Sequence, residues 1–199
     1  MAGATQKRKR RQSVKQILGI VGEKRAGKDT FCEIFAAYAG EKGFTVSVHR
    51  YSDIIGACLE LMDIPKTREN LQAYPPLIES KWGKGVFSRA MTARVEKDTA
   101  DIIVIQGIRW WTDVTELRKL GGRLVYVTAV KKIRFARSLG NSEKPDESNI
   151  SWQKFEEQEQ AETEVYIPDI ATNADFRFNN NSSQTVFAIG IRAFIDTHI

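Results

Sequence analysis

The stretch Gly22-Glu23-Lys24-Arg25-Ala26-Gly27-Lys28-Asp29-Thr30 decides the fold, because it carries the phosphate-loop spacing G-x-x-x-x-G-K in a strand-loop-helix setting. The apolar run Ile17-Leu18-Gly19-Ile20-Val21 precedes it and the amphipathic stretch 31–38 follows. The two glycines let the backbone fold back so that successive N–H groups converge, and the positive end of the following helix adds to the same concavity. Polyphosphate is the natural occupant, with Gly22, Lys24, Arg25, Ala26, Gly27, Lys28, Asp29 and Thr30 as candidate contacts. Lys28 is the point charge expected to hold the β- and γ-phosphates during transfer. One position departs from the pattern: Asp29 stands where Ser or Thr usually ligates Mg2+, and Thr30 comes one place later. Asp29 and Thr30 are therefore the candidate metal ligands; the alternative for Asp29 is simple service in the first helical turn, where acidic residues are favoured.

Working outward, 199 residues suit one core domain, expected over 16–199, and a hydrophobic content of 42% is ordinary for a globular chain. No apolar stretch nears the roughly 18 to 20 residues that span a bilayer, and the N-terminus has no signal-peptide core, so a cytoplasmic protein without membrane contact is expected. Lys7, Arg8, Lys9, Arg10, Arg11 and Lys15 supply more positive charge than the whole chain's net +5, which leaves the body close to neutral. Residues 1–15 read as a disordered basic arm: either a weak nucleic-acid contact through 7–15 or a solvated tail. Cys32 and Cys58 lie far apart in helix-like apolar patterns and are expected as free thiols.

Along the chain, 44–50 is β-rich and follows Gly40 and Gly43, which close the first helix. Asp53 follows it, either as the cap of a helix over 54–62 or facing the site from the carboxyl edge of the sheet. Pro65 ends that helix and Thr67 caps the next. The proline- and glycine-punctuated segment 74–85 is expected to be a small insertion covering the site, followed by a helix over 86–96. Ile102-Ile103-Val104-Ile105 reads as a central parallel strand buried on both faces. Gln106 emerges at its end with no charge to offer a metal, whereas Arg109 is placed to grip phosphate, or else to pair at the surface. Trp110-Trp111 is either a wall for a base or a packing edge.

A helix over 112–120, a strand over 124–130 and a basic helix from 131 continue the strand-helix alternation, which argues for a parallel sheet wrapped by helices. Arg134 and Arg137 share a face and flank a polar excursion, the form of a lid over about 134–152 that closes on reacting phosphates; the alternative is a solvated helix end. Ser151 caps an acidic helix over 152–164, 175–178 makes a last strand, and 183–197 a closing helix with Val186, Phe187, Ile189, Ile191, Phe194 and Ile195 inward.

In this order the loop G-x-x-x-x-G-K-D-T, Ser52-Asp53, Arg68-Glu69-Asn70-Leu71-Gln72, Gly107-Ile108-Arg109, Arg134-Phe135-x-Arg137 and Ala174-Asp175 resemble the phosphate-loop nucleotide kinases. Within them the sequence is most similar to the dephospho-CoA-kinase-like and deoxynucleoside-monophosphate-kinase-like branch, over roughly residues 16–199. The resemblance implies a three-layer α/β/α domain with a parallel sheet of about five strands. It also implies ATP and Mg2+ as donor, a helical acceptor region over about 53–97, and a small nucleotide as acceptor. It makes Lys28, Asp53, Arg109, Arg134 and Arg137 the candidate catalytic residues, and Asp53, Arg68, Gln72 and Arg109 the candidate acceptor contacts. The sequence departs from that pattern with Gln106 where relatives often carry Asp or Glu, with Ile54-Ile55-Gly56 where an arginine often follows the Ser-Asp pair, and with Gly140-Asn141 in place of a further lid arginine. Three activities follow: transfer to a (deoxy)nucleoside monophosphate, transfer to dephospho-CoA, or ATP binding with little turnover, associated with RNA through the arm.

Overall fold

The computed structural model describes residues 15–140 and 150–199. The basic arm apart from Lys15, and the middle of the expected lid, residues 141–149, lie outside the described residues. In chain order the elements are β1 (Gln16–Val21), α1 (Lys28–Glu41), β2 (Val46–Arg50), α2 (Tyr51–Leu61), α3 (Arg68–Trp82), α4 (Val86–Lys97) and β3 (Ile102–Ile108). They continue with α5 (Trp111–Lys119), β4 (Arg123–Thr128), α6 (Lys131–Gly140), α7 (Trp152–Glu159), α8 (Ile167–Ala171), β5 (Phe176–Asn179) and α9 (Gln184–His198).

The five strands form one parallel sheet in the order β2-β3-β1-β4-β5. Parallel pairing requires crossovers over the sheet faces, and alternating side chains feed two apolar layers. Leu18, Ile20, Ile102, Val104, Val125 and Val127 meet α1 and α9 on one face. Ile17, Val21, Ile103, Ile105, Leu124 and Tyr126 meet α2, α4, α5 and α8 on the other. This is the expected three-layer α/β/α architecture, with β1 rather than β3 in the middle of the sheet.

A bulge in β3 places the site. Gln106 pairs with Ile20 but Ile108 pairs with Val21, so Gly107 is an extra residue, with φ +91°. Strict alternation would turn Ile108 to the α1 face; the extra residue returns it to the opposite core layer. Gln106 stays on the α1 side and the chain delivers Arg109 and Trp110 to the carboxyl edge of the sheet, where open α/β folds bind ligands.

Several local expectations are corrected. α2 starts directly after β2, so Asp53 sits in its first turn and is not its cap. Residues 74–82 of the expected small insertion are helical: α3 runs on through Pro75 and Pro76, held by Tyr74 and Ile78 packed on the core. The acidic helix ends at Glu159, because the chain turns there to bury Thr163 and Glu164, and a short α8 with Pro168 near its start follows. Val186 and Ile189 face solvent on α9, at 56% and 63% exposure. Lys15 is tethered, its Nζ donating to the Val95 carbonyl at 2.8 Å. The caps at Thr67, Ser151 and Ser183 are present, each side chain accepting a backbone N–H. Both cysteines are free. Among the described residues, no helix is long and apolar enough to cross a membrane.

Candidate nucleotide-binding site

The loop between β1 and α1 is built by backbone that most residues avoid. Arg25 takes φ +61° and Gly27 φ +100°, which reverses the chain so that α1 begins at Lys28 with its free N–H groups facing the loop. Gly22 lies so close to β4 that a Cβ there would meet the Val127 carbonyl oxygen at 2.0 Å. The loop is also braced from outside. Asn180, just past β5, donates from Nδ2 to the Ala26 carbonyl at 3.0 Å, and its own N–H bonds Thr128 O at 2.7 Å. Tyr126 OH donates to the Glu23 carboxylate.

Lys28 curls into this cradle, its Nζ donating to the carbonyls of Gly22 at 2.7 Å and Glu23 at 2.8 Å. Burial, and next the positive charge of Arg109, lower its pKa from 10.5 to about 7. Lys28 and Arg109 both line the cleft, and an anion bound against Lys28 would offset this cost. A triphosphate that binds the ammonium form must draw a proton onto Lys28 above pH 7. Its affinity is therefore expected to fall as pH rises from 7.5 to 9, by up to about tenfold per unit, with proton uptake visible by calorimetry in buffers of different ionisation enthalpy. A flat profile would contradict this.

The cradle opens into a cleft of about 640 Å³. Lys24, Arg25, Gly27, Lys28, Asp29 and Thr30 of the loop and α1 line it, with Arg50 beside Asp29 at 3.8 Å; Tyr51, Gln72, Phe87, Arg109 and Trp110 complete the lining. Arg109 is paired with Glu164 and donates to the Thr163 carbonyl at 3.1 Å. Asp113, buried at the cleft floor, accepts from the backbone N–H of Arg109 at 3.0 Å and of Trp110 at 3.1 Å, from Ser88 Oγ at 2.7 Å, and from Tyr51. Burial raises the Asp113 pKa, while these donors act the other way and spend its lone pairs on shaping the loop.

The two arginines of α6 part company. Arg137 lines the cleft and donates to the carbonyls of Arg25 at 3.3 Å, Ala26 at 3.4 Å and Asn180 at 2.8 Å. Arg134 is only 6% exposed and lies behind the loop, bonded to Ala129 O at 2.9 Å and Lys24 O at 3.3 Å and paired with Glu159. Asp53 is exposed and does not line the cleft, whereas its neighbours Tyr51, Ser52 and Ile55 do. The Arg68 side chain lies outside the described residues. Trp110 is a cleft wall, while Trp111 points outward and bonds Asp169 at 3.2 Å.

Sequence reasoning passed over Arg50, Asn180 and Asp113. Arg50 and Asn180 stand at the carboxyl ends of β2 and β5, the sheet edge where parallel folds place ligands, and that position was their available signal. Arg50 brings a guanidinium to the cleft beside Gln106, even though none follows Ser52-Asp53. Asp29 is 61% exposed at the side chain, and Gln106 Nε2 donates to its Oδ1 at 2.8 Å. Asp29 and Thr30 are hard oxygen donors lining the cleft beside the loop, a donor type that suits Mg2+ where phosphates supply other ligands. Among the described residues, no cluster of three or more His, Cys, Asp or Glu forms a metal cage on its own.

The loop, the parallel sheet order and the helices flanking it together define the P-loop kinase fold. A solved shikimate kinase from Bacteroides thetaiotaomicron superimposes with a TM-score of 0.60 at 14% identity, over 91% of this chain and 98% of that one. A gluconokinase from Sinorhizobium meliloti does so at 0.53 and 11% identity, over 92% and 98%. In sequence, a UPF0200 protein of Saccharolobus islandicus strain L.S.2.15 is 26% identical over 178 residues, 88% of this chain and 89% of that protein. Another, from Sulfurisphaera tokodaii, is 24% identical over 172 residues, 86% and 90%. The chain matches no protein-family model.

Proposed function

We propose that the protein is an ATP-dependent kinase whose acceptor is a (deoxy)nucleoside monophosphate. The observation that carries the reading is Lys28 at the start of α1, seated on the carbonyls of Gly22 and Glu23 in a loop that Gly22 and Gly27 shape, at the edge of the cleft. Lys28 and the loop N–H groups hold the donor's terminal phosphates; the bond from the γ-phosphorus to its bridging oxygen breaks as one forms to an acceptor oxygen. Positioning and charge neutralisation do most of the work in such transfers, so the cleft need not supply a strong base. Mg2+, near Asp29 and Thr30, would neutralise charge developing on the phosphate oxygens. Arg137 reaches the phosphate end from α6, and Arg50 and Arg109 offer planar donors to the acceptor's phosphate. Phe87, Tyr51 and Trp110 supply aromatic surface for a base.

A second reading draws on the shikimate kinases and gluconokinase of the same fold, whose names give small hydroxylated acids as acceptors. The same arginine pair suits a carboxylate. Labelled ATP with a panel of nucleoside monophosphates, dephospho-CoA, shikimate and gluconate decides between them. Transfer to monophosphates supports the proposal, transfer to an acid or to dephospho-CoA alone replaces its acceptor, and nucleotide binding without transfer to any of them refutes it.

A further inference from the structure

The bonds around Gln106 form a directional chain across the phosphate end of the cleft. Gln106 is 5% exposed. Its Oε1 accepts from Arg50 Nε at 2.7 Å and its Nε2 donates to Asp29 Oδ1 at 2.8 Å. Arg50 offers only donors and an ionised Asp29 only acceptors, so the amide has one workable orientation; turned over, it would set donor against donor and acceptor against acceptor. Arg50 itself stays 3.8 Å from Asp29 Oδ1, beyond hydrogen-bond reach. The Asp29 side chain is otherwise solvated in the first turn of α1, where a carboxylate samples several rotamers. Gln106 is the fixed, buried element that selects one of them.

We infer that Gln106 is a positioning residue: it holds the Asp29 carboxylate toward the metal that accompanies the phosphates. The inference rests on the proposed nucleotide site. It accounts for two departures in the sequence at once, because a carboxylate follows Lys28 where a hydroxyl is usual, and a neutral amide stands at the end of β3 where an acid is common. An acid at both places would set two carboxylates at about 3 Å, with more negative charge than Arg50 alone offsets. With Gln106 the site keeps a single, oriented carboxylate, and the amide bond to it resembles the outer contacts that orient metal ligands elsewhere.

The test separates metal coupling from nucleotide binding. Calorimetry gives the affinity of a non-hydrolysable ATP analogue in EDTA and again in Mn2+, and the ratio of the two is the coupling. In Gln106→Met, similar in length but unable to bond Asp29, the coupling is expected to fall about tenfold or more while the affinity in EDTA changes by less than about threefold. Gln106→Glu is expected to bind Mn2+ without nucleotide, seen by electron paramagnetic resonance, where the wild type does not. An unchanged coupling in Q106M, or an equal loss in EDTA and in Mn2+, overturns the positioning role. Failure of Q106E to bind Mn2+ alone counts against it equally. Wild-type protein that binds the analogue in neither condition refutes the nucleotide site itself, and this inference with it.

Discussion

Lys28→Ala is expected to lower phosphoryl transfer by on the order of 10³-fold or more while leaving the fold intact. The loop's own backbone carbonyls hold the ammonium, at 2.7 and 2.8 Å, where the terminal phosphates of a donor would lie. Without it the negative charge that shifts during transfer is met by N–H dipoles alone. The same burial predicts the stability change. The folded-state pKa is about 7 and the unfolded value 10.5, so between these limits the unfolded chain holds the extra proton and the wild type gains stability as pH rises. Lys28→Met removes that titration. Urea denaturation at pH 7, 8 and 9 should show wild-type stability climbing toward that of a flat K28M, and circular dichroism should show the same fold in both. Turnover retained in K28A would refute the assignment of Lys28.

What could be read from the sequence was local. The loop, its strand and its helix are contiguous, and the meaning of Gly22, Gly27 and Lys28 depends on their spacing, so they were legible. The strands were legible too, because parallel strands buried on both faces are near-continuous apolar runs. The helices between β2 and β3 were less so: prolines at 75 and 76 signal a break, yet α3 passes through them because Tyr74 and Ile78 anchor it to the core. Least legible were contacts made across the sheet. Gln106 meets Asp29 77 residues away, and Asn180 braces Ala26 from 154 residues away. Neither partner carries a local pattern that announces the other. Arg134 and Arg137 have identical local credentials, and which one faces the cleft is decided by the packing of α6 against α7, where Phe135, Trp152 and Phe155 form an aromatic cluster and Glu159 captures Arg134.

Gly22→Ala should be the most damaging glycine-to-alanine change among the described residues, costing about 3 kcal/mol of stability and on the order of 100-fold in nucleotide affinity. The added Cβ would meet Val127 O at 2.0 Å and its carbonyl carbon at 3.1 Å. These are backbone atoms of β4, fixed by its pairing with β1 and β5, so no side-chain rotation relieves the clash. The loop must then lift from the sheet, which pulls its N–H groups out of convergence and shifts the Gly22 carbonyl that helps seat Lys28. Gly27→Ala makes the informative contrast. Its Cβ would meet the Asn180 side-chain nitrogen at 2.2 Å, a side chain that can turn at the loss of its bond to Ala26 O, and φ +100° imposes a strain of about 1 to 2 kcal/mol on any L-residue. Denaturation by urea should therefore rank G22A below G27A, with both below the wild type, and calorimetry with ATP should give the same order. Equal stability of G22A and wild type would mean that the loop does not rest against β4, and the geometry assigned to the phosphate site would fall with it.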